Sequence, residues 1–137
     1  MKWLVDTNVV SAASKRNPSR KLLQWLDRYA DDSAISIVSL SEIAYGVAAS
    51  PDEVTRQNLI NWLVRLRAQF ADAVLELDEA TLVEWKKLIA ELKGKNRTIS
   101  CEDSLIAATA RYHSLTIVTL NMRDFEVTDV ACINPMD

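Results

Sequence analysis

The sequence is short of the residues that bend chains and build phosphate loops. It holds two glycines and three prolines in 137 residues. That shortage excludes a glycine-rich nucleotide loop, a flexible linker and a low-complexity tail. The single histidine, His113, ends an alanine-rich stretch and is expected to face solvent, so imidazole has no placed role in acid–base work. The two cysteines, Cys101 and Cys132, lie far apart. They read as reduced, mostly buried thiols, not as a disulfide or a metal site. No apolar run reaches about 18 residues, so no transmembrane helix is expected. Met1-Lys2 leads straight into a strand, which offers no signal peptide. The expectation is a cytoplasmic protein without membrane contact. An excess of positive charge is also lacking: the net charge is −3 and the pI about 5.2. A protein that holds nucleic acid by a bulk positive field is excluded, while a local basic rim is not.

What is present is a large apolar fraction, 49%, enough for one real core. Residues 1–137 are expected to form a single domain. Short β-branched or apolar runs alternate with helical spacing. Strands are expected at 2–6, 34–38, 73–77, 115–119 and 130–133. A short helix at 7–14 follows the first strand, capped by Asp6 or Thr7. Pro18 can open a helix with Leu22, Leu23, Leu26 and Tyr29 on one face. Ser39-Leu40-Ser41-Glu42 and Ser100-Cys101-Glu102-Asp103 match capping boxes. The long helix of 52–70 carries Leu59, Trp62, Leu63, Leu66 and Phe70. Asp78 caps a helix with Leu82, Trp85, Leu88, Ile89 and Leu92 on one side. Strands alternating with helices imply an α/β fold with a largely parallel sheet covered on both faces.

Three acids take equivalent places in this pattern. Asp6 directly follows the first strand. Glu42 and Asp103 lie in first helical turns that begin at the same sheet edge. Singly, each acid is explained by capping and the helix dipole. Convergence changes that reading, because clustered carboxylates repel and raise one another's pKa unless a cation or a function compensates. An oxygen-only set suits Mg²⁺ or Mn²⁺ and does not suit zinc. A fourth polar cluster, Thr119-Leu120-Asn121-Met122-Arg123-Asp124-Phe125, follows the fourth strand to the same edge.

Leu-Val-Asp-Thr-Asn-Val at 4–9, Ser-Glu-Ile-Ala-Tyr-Gly at 41–46, Asp-Ser-Leu-Ile-Ala-Ala-Thr-Ala at 103–110 and Val-Thr-Leu-Asn-Met-Arg-Asp-Phe at 118–125 resemble the PIN-domain family, in particular ribonuclease toxins of the VapC/FitB type. The resemblance spans the whole chain. It implies a three-layer α/β/α sandwich with a five-stranded mainly parallel sheet. It implies Mg²⁺- or Mn²⁺-dependent RNA hydrolysis, homodimerisation, and inhibition by a VapB-like antitoxin within a type II toxin–antitoxin system. Asp6, Glu42 and Asp103 match the family's three core acids. Asp6 and Asp103 are then metal ligands, and Glu42 a ligand or the base that deprotonates water. Where many members carry a fourth acid, this sequence has Asn121. Asp124 either supplies that charge to the metal or caps a turn. Thr7 and Thr119 either position water or serve as ordinary cap and strand-end residues.

Lys15, Arg16 and Arg20, with Lys21, and Lys95 and Arg97, with Lys93, flank the expected mouth as candidate RNA-phosphate contacts. Trp3, Trp25, Trp62 and Trp85 are expected in packing. The long helix and the one before it are a candidate antitoxin groove. Two other functions stand beside the nuclease. One is a non-catalytic PIN-like partner of a DNA-binding antitoxin, which Asn121 leaves open. The other is a Mg²⁺-binding receiver domain with Asp78 as phospho-acceptor, which lacks the usual strand-end lysine.

Overall fold

Each strand is short, apolar and two-faced, and that alternation builds the molecule. A computed structural model describes residues 1–137. Its strands are β1 Trp3–Val5, β2 Ser33–Ser36, β3 Val74–Leu75, β4 Thr116–Val118 and β5 Cys132–Ile133. All neighbours pair in parallel, in the order β3-β2-β1-β4-β5. The helices are α1 Thr7–Ala13, α2 Arg20–Arg28, α3 Ile37–Ala48, α4 Glu53–Gln69, α5 Glu79–Gly94 and α6 Cys101–His113. Two 3-10 segments, Ala30–Asp32 and Met122–Thr128, complete the chain. No helix is long and apolar enough to cross a membrane.

The register places Leu4 beside Ala34 and Ile117, and Val5 beside Ile35 and Val118. The first row packs into one apolar cluster with Leu88 and Leu92 of α5, Ile106 of α6 and Phe125. The second packs into another with Val9, Leu22, Ile43, Leu63 and Leu66 of α1 to α4. Side chains on a strand alternate between faces, so adjacent residues feed opposite layers. Each fully buried aliphatic side chain contributes roughly 1.5–3 kcal/mol. The result is the expected α/β/α sandwich.

Several element ends differ from the sequence expectation. The second strand ends at Ser36, not Val38, and Ile37 and Val38 begin α3. Ser36 is the N-cap and its hydroxyl accepts from the Val38 amide at 3.0 Å. The expected capping box at 39–42 therefore does not form: Ser39 is buried, and its hydroxyl oxygen has no hydrogen-bond partner. Pro18 does not open α2 itself: the helix begins at Arg20, and Ser19 is its N-cap, accepting from the Leu22 amide at 3.3 Å. In α5, Leu88 and Leu92 are buried, but Leu82 and Ile89 stay exposed because the apolar stripe is narrower than expected. Cys101 is exposed at the start of α6, against the buried expectation, and Cys132 is half-buried. The tryptophans pack as expected: Trp3 and Trp25 meet edge-on at 5.5 Å between centroids, and the Trp85 indole donates to Ser104 Oγ at 2.8 Å.

Substitution separates the two serines. Ser36→Ala removes a working cap and is expected to cost about 1 kcal/mol. Ser39→Ala removes a buried hydroxyl without a partner and is expected to add about 1 kcal/mol. Urea unfolding of the two variants checks both signs; a loss at Ser39 would restore the capping box.

Candidate active site

The chain runs from β1 outward to β2 and β3, then returns to β4 on the other side of β1. The strand order therefore reverses between β1 and β4. Open α/β sheets leave a crevice outside the carboxyl ends of the strands at such a switch point. Asp6 and Thr119 are the first residues beyond β1 and β4, so both fall there.

Asp6 is 5% exposed. Its Oδ1 accepts from the Thr7 amide at 2.8 Å and its Oδ2 from the Thr119 hydroxyl at 2.9 Å. Thr119 Oγ1 in turn accepts from Asn8 Nδ2 at 3.2 Å and from the Asn121 amide at 3.1 Å. A hydroxyl has one donor and two lone pairs, so Thr119 is saturated. Asn8 Oδ1 accepts from the Leu120 amide at 3.2 Å, which ties α1 to the turn after β4. Thr119 thus holds one Asp6 oxygen from the end of β4.

Thr7 links Asp6 to the second acid. Its hydroxyl donates to Glu42 Oε1 at 3.1 Å. Because α3 starts at Ile37, Glu42 lies in its second turn, not its first. Asp103 comes from α6. Ser100 caps that helix by accepting from the Asp103 amide at 3.1 Å. The Ser100 amide does not donate to the Asp103 carboxylate, so this box is half formed, and the carboxylate lines a cleft with the Ser100 hydroxyl beside it. That cleft, about 470 Å³, is lined by Ser100, Asp103, Arg123 and Asp124 among others.

The electrostatics show the three acids acting on one another. Asp6 is raised from 3.8 to about 6: burial is the largest cause, the hydrogen bonds from Thr119 and Thr7 oppose it, and Asp103 and Glu42 add to the rise. Burial also raises Glu42, with Glu102 and Asp103 adding to the rise against the Thr7 bond. Asp103 is raised by burial first, opposed by Ser100, and raised again by Asp124 and Glu102. No cation figures among these causes. Asp124 therefore stands near Asp103, while the Asn121 side chain makes no hydrogen bond and Asn121 contributes its amide to Thr119.

Asn8 and Glu102 had no site role assigned from the sequence. Asn8 had a visible signal, since it follows the strand-end acid within the 4–9 run. Glu102 had none beyond adjacency to Asp103. Of the basic candidates, Lys15, Arg16 and Arg20 are exposed beyond the far end of α1 and make no ion pair. Lys95 and Arg97 line a hollow with Glu126 and Asp129, and Lys95 pairs with Asp129 at 3.4 Å. His113 is exposed as expected and packs edge-on against Tyr112. Asp78 caps α5, accepting from the Thr81 amide at 2.9 Å, at the end of an edge strand. That is a cap and not a receiver's acceptor at a switch point. A hollow of about 230 Å³, lined mainly by apolar residues, lies away from the acids between α1, α2 and α4. Of the two helices expected to form an antitoxin groove, α4 borders this hollow, together with α1 and α2.

The folded pKa of Asp6 lies above its unfolded value, so the native state holds this proton more tightly. Its stabilising contribution is complete below about pH 4 and is lost as pH rises through about 6. The interval corresponds to about 3 kcal/mol. Without divalent ions, wild type is expected to lose about that much more stability than Asp6→Asn between about pH 4 and pH 7. Urea unfolding in EDTA across this range checks it, and parallel profiles would refute it.

The chain matches the PIN-domain family over residues 3–131. It is 31% identical to the toxin FitB of Neisseria gonorrhoeae over 96% of each chain. It is 30% identical to the VapC ribonuclease Y4jK of Sinorhizobium fredii, over 98% of this chain and 97% of that one. The crystal structure of FitAcB from Neisseria gonorrhoeae superposes with a TM-score of 0.91 at 31% identity, with 98% of each chain covered. All four sequence runs, at 4–9, 41–46, 103–110 and 118–125, fall within the matched span. With its parallel sheet and the acid at its switch point, this chain belongs to the PIN-domain family.

Proposed function

We propose that this chain is a divalent-metal-dependent endoribonuclease, the toxin of a type II toxin–antitoxin pair, acting in the cytoplasm as a single domain over residues 1–137. The observation that carries the reading is Asp6: a nearly buried carboxylate at the switch point, held by two hydrogen bonds and crowded by two more acids. Similarity to a named toxin and a named ribonuclease supports the activity.

The donor set fits a hard cation. It consists of carboxylate oxygens that raise one another's pKa with no cation among the causes. No three of them stand close enough to enclose an ion alone. That spacing suits Mg²⁺, which dehydrates reluctantly and keeps several waters. Asp6 and Asp103 would hold the ion, with Glu42 beside it and Asp124 as a further ligand on the Asp103 side. When bound, Mg²⁺ or Mn²⁺ polarises the phosphoryl oxygens and acidifies water.

The chain's own residues do the rest. Thr119 and Thr7 fix both Asp6 oxygens, so the carboxylate needs no reorientation. Glu42 is exposed, and its raised pKa suits a base that takes the proton of the attacking water. The Thr7 hydroxyl holds that carboxylate toward Asp6. Hydrolysis then proceeds without a covalent enzyme intermediate. Lys95 and Arg97 lie on the Asp103 side as RNA contacts. Lys15, Arg16 and Arg20 would reach only RNA that extends past α1.

A VapB-like antitoxin and a second copy of the chain complete the assembly. The hollow between α1, α2 and α4, lined by Val10, Leu23, Leu26, Trp62 and Phe70, suits an apolar antitoxin segment.

Wild type, freed of its antitoxin, is expected to cleave single-stranded RNA in Mg²⁺ or Mn²⁺, and Asp6→Asn at least about 100-fold more slowly. Equal cleavage by the two, or none by wild type, would favour the non-catalytic partner. Independently of cleavage, Mg²⁺ is expected to raise the melting temperature of wild type at pH 8 and not that of Asp6→Asn.

A further inference from the structure

The proposed reaction presents an electrostatic difficulty. Asp6, Glu42, Glu102, Asp103 and Asp124 act on one another's ionisation at the mouth, and the chain carries a net charge of −3. RNA brings one negative charge per phosphate. A metal ion offsets the charge at the scissile phosphate only. The phosphates on either side meet an acidic surface, and their binding needs fixed cations.

One cation lies inside the cleft that holds Asp103. Arg123 lines it together with Thr98, Ser100 and Asp124. It is exposed, and it makes no ion pair and no hydrogen bond, although two carboxylates share the cleft. Its backbone is firmly placed. The 3-10 segment Met122–Thr128 is pinned by Phe125, which is fully buried, and Thr128 Oγ1 donates to the Phe125 carbonyl at 2.6 Å. Successive residues of a 3-10 segment point about a third of a turn apart. Arg123 and Asp124 both border the cleft nonetheless, and no ion pair joins them. The cleft also continues. Val127 belongs both to it and to the neighbouring hollow that contains Lys95 and Arg97. In that hollow Lys95 is engaged by Asp129, while Arg97 has no carboxylate partner. The groove from Asp103 outward thus meets two unpaired guanidinium groups in succession.

We propose that Arg123 binds the RNA phosphate adjacent to the scissile one, and that the strand leaves the acids along this groove toward Arg97. The inference rests on the nuclease reading for its substrate. A guanidinium offers a planar fork to two phosphate oxygens, so it fixes the strand's position as well as its charge. Arg123 touches the substrate away from the reacting atoms and holds the strand in register; it takes no part in proton transfer.

The test uses a fluorescent single-stranded oligoribonucleotide. Cleavage in Mg²⁺ is measured for wild type, Arg123→Ala, Arg123→Lys and, as a surface control, Arg65→Ala on α4. Binding is measured by anisotropy over a series of KCl concentrations, with each substitution placed in the Asp6→Asn background. Arg123→Ala is expected to raise KM about tenfold and to leave kcat within about twofold. It should also reduce the slope of log affinity against log salt by about 0.7. Arg123→Lys should recover the slope and only part of KM, since it keeps the charge and loses the fork. Arg65→Ala should match wild type in each measurement. Unchanged KM and unchanged slope in Arg123→Ala would overturn the proposal. So would a fall in kcat and melting temperature with the slope intact, because that pattern marks a structural residue. If wild type cleaves no RNA, the nuclease reading fails, and the salt slope of binding still decides the role of Arg123.

Discussion

The hydrogen bond from Thr119 to Asp6 is the contact on which the site's arrangement depends. It joins the carboxyl ends of the two strands where the sheet order reverses. A carboxylate with so little exposure is costly to ionise, and a hydroxyl and an amide lower that cost without removing it. The lone pairs of Thr119 are filled by Asn8 and Asn121, and its proton goes to Asp6 at 2.9 Å in preference to Asn8 Oδ1 at 3.5 Å. Asn8 then holds the turn after β4 through Leu120. The first turn of α1, the end of β1 and the exit from β4 are one hydrogen-bonded unit. The fold keeps a proton-hungry oxygen in place by over-determining its neighbours.

The other two acids arrive from opposite sides of the sheet. α6 belongs to the layer packed on Leu4, Ala34 and Ile117. α3 sends Ile43 and Val47 into the layer packed on Val5, Ile35 and Val118. Glu42 and Asp103 therefore meet Asp6 only when both layers are seated. Side-chain alternation along strands of two to four residues sets the relative height of the layers. The spacing of the acids thus follows from core packing as well as from local motifs.

That division explains what the sequence made legible. Asp6, Glu42 and Asp103 stood out because each lies near a strand–helix junction, where local pattern and chemistry coincide. The layered α/β architecture followed from alternating periodicities. Element ends were harder. Ser36 and Ser39 are both good caps three residues apart, and Ile37 and Val38 favour strands by propensity. Burial decided for Ser36, and a pattern confined to four residues could not register that. Leu82 and Ile89 have helical spacing, yet each leaves about a third of its surface exposed. Glu102 and Arg123 gain their meaning only from a cleft between distant segments. Asn8 looked like a companion of Asp6, and its partners at 119 and 120 are set by tertiary structure.

The sequence separation of the central bond has a consequence in time. Asp6 and Thr119 are 113 residues apart. At ribosomal rates of about 5–20 residues per second, Asp6 exists for roughly 6–23 s before its partner is made. During that interval β1 has no β4 beside it, and α6 has no finished sheet to pack on. An emerging chain carries two of its acids early but has no assembled site, next to the RNA-rich machine that is making it. The long loop in sequence space acts as a delay line between synthesis and competence.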